Sequence, residues 1–109
     1  MRVFVDALLP CQPTSKWRWP EACHLLSDDL DALTLFAYRL RLRDNWLQWS
    51  RSGTPHFDLT PNMRTRALLM GAIEISNHEA GLIVQFWRRR YAAALARLSC
   101  PPPYKPNPF

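Results

Sequence analysis

His56-Phe57-Asp58-Leu59-Thr60-Pro61 is the stretch on which the fold turns. Side chains on a strand alternate between faces, so His56 and Asp58 share one side while Phe57 and Leu59 fill the other. Thr60-Pro61 then marks a helix start, with Thr as N-cap and Pro at the first helical position. A strand that hands directly to a helix is the unit of α/β architecture, and its carboxyl end is a common place for a ligand site.

The same reading extends in both directions. Val3-Phe4-Val5 is a short β-branched and aromatic strand ending at Asp6. The proline-bearing stretch from Leu8 to Trp19 reads as a loop. Cys23-His24-Leu25-Leu26 is an apolar run, either a second strand or the start of a helix. Ser27-Asp28-Asp29 supplies a cap and acidic residues for a helix over 28–42, whose Leu30, Leu33, Phe36, Ala37 and Leu40 recur at helical spacing. Residues 45–54 form a connecting loop carrying Trp46 and Trp49. After the central strand, Pro61 to about Gly71 is the second helix, and Ala72-Ile73-Glu74-Ile75 alternates as a strand exposing Glu74. Ser76-x-x-Glu79 has capping-box spacing and opens the longest helix, with Ile83, Val84, Trp87, Tyr91, Ala94, Leu95 and Leu98 as its buried stripe. The expectation is an α/β domain over residues 1–99: a small sheet of three or four short strands covered by about three helices, the C-terminal one longest. Residues 100–109 are a proline-rich tail.

Composition narrows the class. A chain of 109 residues, 48% hydrophobic and 21% charged, is long enough for one domain with a real core. No apolar run approaches the roughly 20 residues that span a bilayer, and the opening segment is too short for a secretory signal. Cys11, Cys23 and Cys100 are odd in number and contain no C-x-x-C pair, which argues against a disulfide scaffold or zinc ribbon. A cytoplasmic protein away from membranes is expected, with its thiols reduced.

Charge is unevenly placed. Residues 1–59 hold seven Lys/Arg and seven Asp/Glu, whereas residues 60–109 hold seven against Glu74 and Glu79, so the second half carries the whole +5. Twelve of the fourteen basic residues are Arg, whose planar fork suits phosphate or carboxylate.

Three groupings could carry chemistry. Asp6, His24, His56 and Asp58 each lie near a predicted strand end, where they could bind metal or transfer protons. H-x-D spacing assigns no metal by itself; were a divalent ion held, His with carboxylate would favour zinc, manganese or iron over calcium. Arg64 and Arg66 begin the second helix, where unpaired N–H groups favour an anion. Two residues apart on a helix diverge by about 200°, so only one can enter a given pocket, and Arg64 is nearer the helix start. The plain alternative pairs one Arg with Asp58 and leaves the other solvated. Trp17 and Trp19, with Lys16 and Arg18, form an aromatic and basic loop, and Arg88-Arg89-Arg90 a basic arc, both suited to a partner. Glycine-rich phosphate loops, nucleophile triads and zinc-finger or helix-turn-helix patterns are missing.

Several of these pieces occur together in a known family. Val3-Phe4-Val5-Asp6, Cys23-His24-Leu25 with Ser27-Asp28, Trp46-Leu47-Gln48, His56-Phe57-Asp58-Leu59, Arg64-x-Arg66-Ala67 and Gly71-Ala72-Ile73-Glu74-Ile75 follow in order. Across residues 3–76 the chain resembles a small family of bacterial and phage proteins of about eighty residues, classed only as a domain of unknown function and carrying a His-Tyr-Asp motif. Phe57 stands where that family has Tyr, and Ala7 follows Asp6 where Asp-Asp is typical. The resemblance implies no activity. It implies that Asp6, His24, His56, Asp58 and Arg64 or Arg66 form one polar set, and that an accessory or host-modulating role is in play.

The functional expectation is therefore a phage or bacterial accessory protein that holds an anionic ligand, a nucleotide or nucleic-acid phosphate, in the His56/Asp58/Arg64 pocket. One alternative is a metal-dependent phosphoester hydrolase using Asp6, His24, His56 and Asp58. The other is an interaction module that docks a host protein through Arg88–Arg90 and the Trp17/Trp19 loop.

Overall fold

The computed structural model describes residues 2–99; Cys100 and the proline-rich segment beyond it lie outside the described residues. In chain order the elements are β1 (Phe4–Val5), β2 (Leu9–Pro10), β3 (Glu21–Leu26), α1 (Leu30–Arg39), β4 (Gln48–Trp49), β5 (Pro55–Leu59), α2 (Pro61–Leu69), β6 (Ile73–Glu74) and α3 (Asn77–Ser99), with a single 3₁₀ turn at Asp44–Trp46. The class is α/β with three helices, the last one longest, as the sequence predicts. The sheet is larger than expected, with six strands rather than three or four. The added strands, β2 and β4, come from stretches that read as loops. At two residues each they carry no alternation, and only pairing with β3 and β5 defines them.

Strand order is β4-β5-β3-β1-β6, with β2 also on β3. β3 runs antiparallel to β1 and β5, and β6 is parallel to β1, so β1, β5 and β6 point the same way. β1 and β2 are one arm interrupted by a bulge. Val5 pairs with Leu25 and Leu9 with Ala22, so four steps on one strand oppose three on the other. The extra residue falls within Asp6-Ala7-Leu8, where a bulge re-aims side chains.

Alternation sorts the residues as expected. Val5, Cys23, Leu25, Phe57 and Leu59 face α1 and α2, where they join Leu33, Phe36, Leu40 and Ala67 in the main core. Phe4 and Leu26 face the other way and pack with Ile75, Ala80 and Ile83 beneath the first half of α3. His24, His56 and Asp58 lie on this second face.

Helix ends follow local chemistry. Thr60 Oγ1 accepts the Met63 N–H, and Ser76 and Glu79 bond reciprocally at 3.1 and 2.9 Å. The cap of α1 is Asp29, which accepts from Asp31 and Ala32. Ser27, expected to cap, is buried two residues earlier, where its hydroxyl donates to the Arg2 carbonyl. α1 and α2 both end in a Schellman motif. Leu42 N–H donates to Ala37 O and Arg41 N–H to Tyr38 O, matched in α2 by Ala72 to Ala67 and Gly71 to Leu68. The left-handed residue is Gly71 in α2 (φ 107°) but Arg41 in α1 (φ 68°). A side chain in that conformation costs about 1–2 kcal/mol. Arg41→Gly is therefore expected to raise stability by about 1 kcal/mol, read as a higher urea midpoint with unchanged slope.

The stripe on α3 is covered only in part. Ile83, Val84 and Trp87 are half-buried, and Trp87 Nε1–H donates to the Ser27 carbonyl at 2.7 Å. Tyr91, Leu95 and Leu98, expected in the core, are exposed. The reason is length: 23 residues of helix reach about 35 Å, whereas a six-residue strand spans about 20 Å. The helix outruns the sheet.

Candidate metal centre

Register brings the polar set together. His24 lies directly opposite Asp58 on β3 and β5, and His56 precedes Asp58 by one alternation on the same face. Asp6 enters from the bulge beside β3. The cluster spans the middle of β5, from His56 to Asp58, and Asp6 joins it just past the carboxyl end of β1.

Asp6 is buried and fully engaged. Oδ1 accepts the backbone N–H of His24 at 2.6 Å, and Oδ2 accepts Nδ1–H of the same residue at 2.7 Å. Because a carboxylate only accepts, the His24 proton is fixed on Nδ1 and its Nε2 lone pair turns outward. His56 has the same arrangement. Its Nδ1 lies 3.1 Å from the Thr54 carbonyl, which also can only accept, so Nε2 is again the free base. Both Nε2 atoms stand 3.8 Å from Asp58 Oδ1, and the two rings meet edge to face at 5.2 Å. Asp58 Oδ2 accepts from Gln48 Nε2 at 2.9 Å.

Three electron-pair donors thus converge, each steadied from behind by another group. His24 Nε2, His56 Nε2 and Asp58 Oδ1 all lie within 4.8 Å of one another. Donors about 2.0–2.1 Å from a tetrahedral zinc are roughly 3.3 Å apart, so the donors, at 3.8 Å to Asp58 and within 4.8 Å overall, must draw together to hold the ion. Two imidazoles and one carboxylate match the donor set of catalytic zinc and of non-haem iron, which leave positions open. Half-exposed His24, with 46% of its side chain accessible, keeps one side of the cluster open.

Electrostatics set a proton in competition with a metal ion at His24. The Asp6 hydrogen bond pushes the His24 pKa above its ordinary value; burial opposes it, and the charges of Asp6 and Asp58 add to it. Cys23, next in sequence, points into the opposite face. Burial pushes its thiol up to about 12, with Asp6 adding and Arg64 opposing, which leaves it protonated and unreactive.

The arginines are placed differently from one another. Arg64 reaches back from α2, donating through Nε to the Asp6 carbonyl at 2.9 Å and through Nη2 to Glu74 at 2.7 Å. It therefore braces the backbone beside the cluster, and its carboxylate partner is Glu74 rather than Asp58. Arg66 diverges to an exposed position near Met63 Sδ. Trp17 and Trp19 pack edge to face in the loop before β3, with Arg18 over Trp19. Arg88, Arg89 and Arg90 are exposed on α3 toward the other end of β3.

Reading the sequence did not find Gln48 or the Thr54 carbonyl. Gln48 had a signal, since Trp46-Leu47-Gln48 is among the pieces shared with the resembling family. A backbone carbonyl has none.

The fold and the cluster define a small mixed-sheet α/β domain with a His/His/Asp donor set on one face of its sheet. The chain belongs to the family described as "Protein of unknown function (DUF4031)", whose sequence profile matches residues 3–87. That match includes every residue of the cluster and runs past residue 76, ending at Trp87, so the first half of α3 belongs to the family domain. No curated protein and no solved structure matches the chain.

Proposed function

We propose that the protein is a metal-dependent phosphoester hydrolase with one divalent ion, zinc in the first instance, held by His24, His56 and Asp58. The observation that carries this reading is the convergence of two imidazoles on one carboxylate oxygen. With Nδ1 of each histidine turned to an acceptor, both Nε2 atoms face Asp58 Oδ1 at 3.8 Å. A proton on His24 Nε2 satisfies only that histidine and the carboxylate, whereas a divalent ion satisfies all three donors at once. A divalent ion supplies Lewis acidity and lowers the pKa of water to about 7. The chain's contribution is orientation: Asp6 and Thr54 fix the imidazoles, and Gln48 fixes the carboxylate. A phosphoester substrate agrees with the +5 charge of the chain.

A second reading keeps the same centre as a non-catalytic anion-binding site. It is favoured by the lack of a spare base: both Asp6 oxygens and Asp58 Oδ2 are bonded, and Asp58 Oδ1 is a ligand. The two readings part in one assay. Chelator-stripped protein refilled with zinc or manganese should hydrolyse bis(p-nitrophenyl) phosphate, and Asp58→Asn should abolish turnover. Stoichiometric metal without turnover, but with phosphate bound, would select the second reading. Protein that takes up no metal would remove both.

A further inference from the structure

A second concave surface lies where α3 leaves the sheet. Trp49, Gly53, Trp87, Arg90, Tyr91 and Arg97 line a groove of about 610 Å³, within the range of small-ligand and nucleotide sites. Its walls are aromatic. Trp49 and Trp87 meet edge to face at 6.5 Å, and both Trp49 and Tyr91 are more than half exposed. The Arg90 guanidinium lies over the Phe86 and Trp87 rings at 5.5 and 5.8 Å. Arg97 follows Arg90 by two helical turns, with Ala93 and Ala94 between them, so charge flanks a floor of small residues.

The groove is built rather than incidental. Gly53, at φ 83°, lets the turn after β4 approach the helix; a Cβ there would stand 3.3 Å from Tyr91 Cβ. Residues 88–98 carry Arg88, Arg89, Arg90 and Arg97 and no acidic residue. A second copy laid along this surface would set Arg90 and Arg97 against the same pair, which disfavours self-association. An anionic occupant with flat rings satisfies both the charge and the aromatic walls.

We infer that this groove binds single-stranded nucleic acid, stacking bases on Trp49 and Tyr91 while Arg90 and Arg97 take the phosphates. The surface is distinct from the His/His/Asp centre and does not rest on the metal reading. The two approach each other at β4, where Gln48 holds Asp58 and Trp49 lines the groove.

The test uses the full chain in chelator, so that failure of the metal centre cannot affect it. Anisotropy of a short fluorescein-labelled oligothymidylate should report binding at low salt that weakens as salt rises, and that exceeds binding to a duplex of equal length. Tyr91→Ala should weaken binding roughly 5- to 150-fold, while Tyr91→Phe stays within about two-fold of the parent. Arg97→Glu, at an exposed position, should weaken binding even if Tyr91→Ala perturbs folding. No binding at low salt would overturn the inference. So would loss with Arg97→Glu alone and a folded, fully binding Tyr91→Ala, which marks a plain charge patch. Competition by polyglutamate as effective as that by the oligonucleotide would assign the surface to an acidic protein instead.

Discussion

His56→Ala is expected to lower zinc affinity by more than the roughly 10- to 100-fold that loss of a supporting partner costs. His56 Nε2 is one of three donors that cluster among the described residues, and His24 with Asp58 cannot hold a first-row ion comparably. The fold should survive. β5 is anchored by buried Phe57 and Leu59, and the variant loses one bond to the Thr54 carbonyl, about 1 kcal/mol. Competition against a colorimetric chelator, with circular dichroism in parallel, separates the two effects. Were the cluster merely structural, only the small stability loss would be seen.

Asp6→Ala should cost the most stability of any single change at the centre, because it removes two charge-assisted bonds. The backbone N–H of His24 loses its partner, and hydrogen bonds to charged groups contribute about 1.5–3 kcal/mol. The His24 ring loses its anchor, which should cost about 10- to 100-fold in metal affinity. Asp6→Asn divides these roles. Its amide oxygen can still accept the backbone N–H and recover stability, but a neutral group holds the imidazole less firmly.

The pH dependence carries the same signature. His24 has a folded pKa raised above its ordinary 6.5, chiefly by Asp6. Its contribution to stability is therefore full below about 6.5 and lost as pH rises through the folded value. Metal binding runs the other way, since the ion needs an unprotonated Nε2, so affinity climbs over that same interval. In Asp6→Ala the pKa falls, the apo-protein loses this slope, and the rise in affinity moves to lower pH. The imidazole proton shifts in NMR follow the titration directly. An unchanged midpoint in the variant would contradict the assigned bond.

The legible parts of this structure are those whose cause is local. Thr60-Pro61 and Ser76-x-x-Glu79 announce two helices because their caps bond within three residues. The face shared by His56 and Asp58 follows from strand alternation alone. His24 stayed ambiguous between strand and helix because a four-residue apolar run has no period to decide it. Long-range pairing decides the rest. That His24 faces Asp58 depends on strand register, and that Asp6 reaches His24 goes with a bulge. Arg64 looked like an anion ligand from its place at a helix start, but chain geometry turns it onto Asp6 and Glu74. The apolar period of α3 continues to Leu98, and periodicity does not say where the sheet beneath it stops.

The central claim is that His24, His56 and Asp58 hold one divalent ion through Nε2, Nε2 and a carboxylate oxygen. Zinc titration of chelator-stripped protein, followed by imidazole nitrogen NMR, tests it most directly. The account predicts one zinc per chain, with both His24 and His56 Nε2 resonances shifting to metal-bound values while their Nδ1 atoms stay protonated. Zinc uptake that leaves either Nε2 unshifted, or no uptake at all, would contradict it.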